Sequence, residues 1–174
     1  MDLISHLRTQ TEDAYEWALR LSSDIPGKKW DHIPQNLDTN ITWQIGHLML
    51  SYYFHTVLVI RGHQPDLLGK LPMREYSELF TTAPPAKSIG KVQKEDLLPQ
   101  LQAVQEKSLE IIGFLPEDEL GDALEKTGIT HPIAKTKYEA INWNIKHTLW
   151  HCGQLAILRR ILDKRYDFGQ GAGS

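Results

Sequence analysis

Eight histidines stand in this chain of 174 residues, and two of them carry the clearest chemistry. His147 and His151 are spaced i and i+4, which on a helix sets both imidazoles on one face. The row Ala140, Asn144, His147, His151, Leu155, Leu158 and Leu162 falls in a single stripe, its steps of three and four being those of an inward-facing seam. Upstream, Asn40, His47, Ser51, Phe54 and Leu58 form a second stripe with Trp43 on its edge. His47, like the downstream pair, takes a place that packing alone would give to Leu or Ile. A polar group buried without a partner costs about 1–3 kcal/mol, so imidazoles on two facing seams need something to bind them together. A divalent transition metal does this, since imidazole suits zinc, nickel, iron and copper. Three histidines leave at least one coordination position open, the arrangement of a catalytic centre and not of a closed structural one. The plainer reading is histidines satisfied by hydrogen bonds in the core, His47 above all, and spacing alone leaves both readings open.

Other residues take smaller parts. Asn144 and Gln154 are candidates to orient the ring nitrogens that face away from a metal; the alternative is two helix-surface amides. His55 follows His47 by eight residues, about 80° further round a helix, at the mouth of a pocket or as an ordinary core residue. His63 ends a helix, where a cation complements the dipole. His6, His32 and His131 fall at a terminus or in loops and are assigned nothing. Cys152 is the only cysteine; it excludes an intrachain disulfide and reads as a small core residue. The tryptophans suit core or interface, with Trp43 alternatively walling the pocket. Glu-x-x-His pairs of the di-iron bundles are missing, because Asn144 and Thr148 precede the two histidines by three. HExxH, Walker, GxGxxG and GxSxG motifs are also missing from the sequence.

The elements that must position these residues are four helices. The first spans about Asp2 to Leu21, and the second runs from Thr39 or Asn40 to about Gly62. A third covers Lys94 to Phe114, with Pro99 tolerated only near its first turn. The fourth opens on Thr136, where Glu139 completes a capping box, and reaches Leu162. The link from His63 to Gln93 holds four prolines and two glycines and has room for one helical turn around Arg74 to Phe80. No strand alternation and no fixed-period repeat occurs. Helices of about twenty residues have four-helix-bundle dimensions, and the long second link suggests an up-down-down-up order. We expect an all-α four-helix bundle over residues 1–165, with a flexible tail from 166 to 174. The net charge of −3 lacks the cation excess that nucleic-acid binding requires. The longest apolar run, Leu48 to Ile60, is too short to cross a bilayer, and the first residues lack the apolar core of a signal peptide. A cytoplasmic protein is the expectation.

The run TWQIGHLMLSYYFH, followed by NWNIKHTLWHCGQLAILRRIL, resembles the DinB-like (DinB/YfiT) metalloenzyme family. The H-x-x-x-H-x-G-Q-L element stands here as His147, His151, Gly153, Gln154 and Leu155, and W-x-I-G-H as Trp43, Ile45, Gly46 and His47. The resemblance covers nearly the whole chain, to about Asp163. It implies the up-down-down-up bundle, often dimeric, and one metal held by His47, His147 and His151. Family members with assigned activity depend on thiols: transferases joining a low-molecular-weight thiol such as bacillithiol to electrophiles, and a mycothiol-dependent maleylpyruvate isomerase.

The resulting expectation is a thiol S-transferase acting in detoxification, with small-molecule thiol and electrophile as substrates, no nucleic-acid or membrane partner, and a homodimer. Its metal would be zinc or nickel, with iron, manganese or cobalt as alternatives. Two competing readings are a metal-dependent hydrolase, for which no seam carboxylate offers a general base, and a non-catalytic metal- or ligand-binding bundle acting through a partner protein.

Overall fold

The computed structural model describes residues 2–169. Helix α1 (Leu3–Ser22) starts where the Asp2 carboxylate accepts from the Ser5 N–H at 2.7 Å, a cap that satisfies one free amide of the first turn. It buries Leu7, Thr11, Ala14, Ala18 and Leu21, a stripe in steps of four and three. Helix α2 (Ile41–Tyr52) is capped in the same way by Asn40, whose side chain accepts from the Trp43 N–H at 2.7 Å. The sequence predicts one helix up to Gly62. The structure instead widens it to a π-helix at Tyr53–Leu58 before a last turn, α3 (Val59–Arg61). Within the wide segment the Thr56 hydroxyl donates to the Tyr52 carbonyl at 2.7 Å, a back-bond of the kind that distorts helices. Gly62, at φ 77, ends the element in a conformation that costs glycine little.

Two short helices follow, α4 (Pro65–Leu68) and α5 (Met73–Ser77), the latter continued by a π-helical turn at Glu78–Thr82. Helix α6 (Lys94–Gly113) carries Pro99 in its second turn, deeper than the sequence suggests but exposed. Helix α7 (Lys137–Leu162) begins with the expected capping box of Thr136 and Glu139. Among the described residues there is no strand, and no helix is long and apolar enough to cross a membrane. The protein is all-helical.

The long helices touch in a ring: α1 lies against α6 and α7, and α2 against the same two. Polar contacts pin their ends. Lys94 donates to the carbonyls of Ser23 and Ile25 at 2.6 and 2.9 Å, joining the end of α1 to the start of α6. Arg159, buried near the end of α7, forms a bidentate pair with Asp24 just beyond α1, the strongest geometry open to a guanidinium. Trp30, Tyr52, Phe80 and Leu101 are among the fully buried core side chains. At the far end of the chain Tyr166 and Phe168 rest on Trp17, with ring centroids 5.5 and 5.8 Å from it. The start of the expected tail therefore finds a surface to pack on, and residues 170–174 of it lie outside the described residues.

Candidate metal centre

His47 on α2 and His147 and His151 on α7 come together. Their candidate ligand atoms all lie within 4.8 Å of one another. Nε2 of His147 and Nε2 of His151 are 3.1 Å apart, within hydrogen-bond reach. Ring centroids are 4.9 Å apart for His47 and His151, and 5.4 Å for His47 and His147. The two facing seams read in the sequence meet here: one imidazole from α2 joins an i, i+4 pair from α7.

The opposite ring nitrogens say which atoms face the shared space. His47 Nδ1 lies 2.8 Å from the Phe80 carbonyl, which can only accept. His47 therefore carries its proton on Nδ1 and leaves Nε2 as a bare lone pair. His151 Nδ1 donates to Oε1 of Gln44. The Gln44 amide is itself oriented, because its Nε2 donates to Thr39 Oγ1 and to Gln154 Oε1, both at 2.8 Å. Nε2 of His151 is thus bare as well. His147 Nδ1 is buried with no partner among the described residues. Burial lowers the pKa of all three rings, opposed at His47 by the Phe80 carbonyl, to about 4 for His147 and about 3 for His151, where the neighbouring histidines add to the effect. All three are neutral at pH 7.

His147, unpartnered at Nδ1, can donate from Nε2 to the bare Nε2 of His151 at 3.1 Å. A divalent cation in place of that proton would meet three imidazole lone pairs, and zinc takes histidine nitrogens at about 2.0–2.1 Å. The donor set fits a divalent metal, and each of two ligands has the outward hydrogen bond that fixes metal-binding imidazoles. Aromatic rings complete the support: Trp43 stacks on His47 at 4.8 Å and Trp143 on His147 at 5.9 Å.

Gly46 has a steric reason to be glycine. A Cβ there would stand 2.5 Å from the Phe80 ring, and Phe80 is fully buried. The close approach of that ring brings its carbonyl to His47. Gly153, the glycine of the downstream motif, has open space around it and is exposed.

The two amides singled out in the sequence separate. Gln154 reaches the site through Gln44, one hydrogen bond removed from His151. Asn144 does not hold a ring of the cluster; its Nδ2 donates to the Tyr15 hydroxyl at 3.1 Å, within a buried network of Tyr15, Ser108 and Thr56. Gln44 is absent from the sequence reading, although it continues the row Asn40, Gln44, His47, Ser51 in steps of four, three and four, and that register was the signal for it. Cys152 is buried beside His151, with its thiol pushed up to about 12 by burial and by the charge of Asp13.

A cavity of about 640 Å³ opens beside the cluster. His47, Phe54, His55, Leu58, Trp143 and His147 line it, and Arg74 stands at its edge. The wall is Trp143, and Trp43 instead backs His47. His63 also lines it, within 3.3 Å of the Tyr53 hydroxyl. His55 sits inside and not at an exposed mouth; burial, then the charges of His131, His147 and His47, push it down to about 3.

No curated protein matches the chain. Among solved structures it is similar to the crystal structure of a conserved protein from Enterococcus faecalis, with a TM-score of 0.70 and 16% identity over 93% of this chain and 98% of that one. That likeness concerns the fold. The model of the DinB superfamily matches residues 10–155, a span that contains all three histidines, and the chain belongs to that superfamily.

Proposed function

We propose that the protein is a metal-dependent transferase that joins a low-molecular-weight thiol to an electrophilic carbon, in the cytoplasm and as a detoxifying activity. The observation that carries the reading is a three-histidine cluster, two members of which, His47 and His147, line a largely apolar cavity large enough for a small organic molecule. His47, His147 and His151 would hold a zinc or nickel ion, which would supply the Lewis acidity that lowers a thiol pKa toward neutral. The chain's own residues do the rest. Phe80 and Gln44 lock the rings of His47 and His151; Trp43 and Trp143 hold two rings by stacking; Phe54, Leu58 and Trp143 exclude water from around the electrophile. Hydrolysis is less well supported, because no carboxylate lies among the described residues lining the cavity to activate water.

The up-down-down-up bundle belongs to the same proposal. Its support is that α1 ends where α6 begins and where α7 ends, while Gln44 near the start of α2 meets Gln154 late in α7. Dimerisation is supported by Trp150, Ile157 and Ile161, an exposed apolar row on α7.

The test is thiol consumption by zinc- or nickel-loaded protein against a panel of electrophiles, with metal content measured on the same samples and His147→Ala as control. We expect turnover that needs the metal and is lost in the variant. Equal metal content in both proteins, or metal loading with no thiol consumption across the panel, would overturn the reading.

A further inference from the structure

A second pair of histidines shares the cavity. His131, buried in the loop before α7, has Nδ1 within 2.7 Å of the Ala134 N–H and 3.2 Å of the Ile133 N–H. A nitrogen that accepts two backbone N–H groups carries no proton. The one proton of this neutral ring is then on Nε2, and Nε2 lies 2.8 Å from Nδ1 of His55. His131 therefore donates, His55 Nδ1 accepts, and the proton of His55 is left on Nε2. Phe54 stacks against His131 at 5.4 Å and holds the donor in place. Burial keeps both rings neutral at pH 7.

The π-helical segment gives this pair its place. A π turn carries more residues than an α turn, so each residue advances less round the axis than the 100° of an α-helix. His55 comes round toward the side of His47 and lines the same cavity, its ring centroid 5.5 Å from that of His147. With Nδ1 occupied by His131, what the ring offers to the cavity is an N–H. Among the described residues nothing accepts from it.

The geometry points to His55 as a fixed hydrogen-bond donor to a substrate oxygen, with His131 as the positioning residue that sets its tautomer; the electrophile is then an α,β-unsaturated carbonyl compound. The choice of electrophile rests on the thiol-transfer reading; the donor itself does not. On attack by the thiolate sulfur at the β-carbon, the S–C bond forms and the C=C electron pair moves to leave negative charge on the carbonyl oxygen. The His55 N–H stabilises that charge as an oxyanion-hole donor does. A proton from solvent then ends on the α-carbon, and His55 keeps its own. An imidazole with its proton on Nδ1 would present a lone pair to the same oxygen and repel it.

The test reads tautomers directly. Zinc-loaded protein labelled with ¹⁵N at histidine is expected to show His55 and His131 each protonated on Nε2 and bare on Nδ1. Cyclohex-2-enone, added without thiol, is expected to move the His55 Nε2–H resonance saturably, whereas cyclohexene leaves it in place. In His131→Phe the His55 proton should divide between its two nitrogens, and enone binding should weaken about threefold to tenfold, the worth of one hydrogen bond. His55→Phe should weaken enone binding by a similar factor, read from the shifts of the remaining histidine resonances. A His55 protonated on Nδ1 in the wild-type protein, or a resonance that cyclohex-2-enone does not move, would overturn the proposal without recourse to any variant. Correct tautomers and enone binding in a protein that consumes no thiol would overturn the transferase reading alone.

Discussion

His151 keeps its orientation through the amide of Gln44, so Gln44→Leu should weaken metal binding while leaving all three ligands in the chain. Losing such an outward partner typically costs about 10–100-fold in metal affinity. Competition against a chromophoric chelator measures it, and unchanged affinity would remove Gln44 from the site. Acid should act on the same residues. In the unfolded chain histidine titrates near 6.5, while in the folded metal-free protein burial holds His47 below that and takes His147 to about 4 and His151 to about 3. Between those values the unfolded state binds more protons than the folded one, so stability falls as pH drops below about 6.5 and continues to fall until the folded values are reached. Urea midpoints of metal-free protein should decline through that window. A variant with Ala at all three positions should decline less, and parallel curves for the two proteins would refute the assignment. The i, i+4 pair was legible at this scale because helical spacing fixes which side chains share a face. His131 was not legible, since a loop has no period and its partner lies 76 positions earlier in the chain.

At the scale of elements, Gly46 is the position where α2 admits the ring of Phe80. Gly46→Ala drives a methyl group into a side chain with no room to retreat, and overpacking of this kind costs about 1–3 kcal/mol. The variant should lose stability in urea and also bind metal more weakly, because the Phe80 carbonyl moves off His47. Lost stability with unchanged metal affinity would show that the two contacts are independent. Helix boundaries were largely readable from the chain. Asp2, Asn40 and Thr136 cap through their own side chains, and such chemistry is local. The π-helical stretch at Tyr53–Leu58 was not readable, since it accompanies contacts such as Ser108 to Thr56 at 2.6 Å, across 52 residues. Periodicity drawn as if α2 were regular left His55 either at the rim of a pocket or as an ordinary core residue; in the structure it is buried and lines the cavity.

For the molecule as a whole, the exposed row of Trp150, Ile157 and Ile161 is the feature a second copy would cover, at the spacing that lets two long helices lie together. Trp150→Ser with Ile157→Ser should halve the mass seen in sedimentation while metal content stays at the wild-type level. A monomeric wild type, or a double variant that sediments unchanged, would end the dimer proposal. The periodicity of apolar residues already carried the helical class, and the composition the low net charge. What neither carried was the joining of ends, such as Arg159 to Asp24, because pairing across 135 residues leaves no local trace.

The seclusion of Cys152 bears on how the folded protein meets thiol reagents. It is the sole sulfhydryl in the chain, locked in its unreactive protonated form a single residue from the centre. A reagent that alkylates thiolates therefore finds this side chain protonated and covered in the folded protein. Dyes that count free sulfhydryls should accordingly react slowly with the folded protein and label one site per chain once it is unfolded.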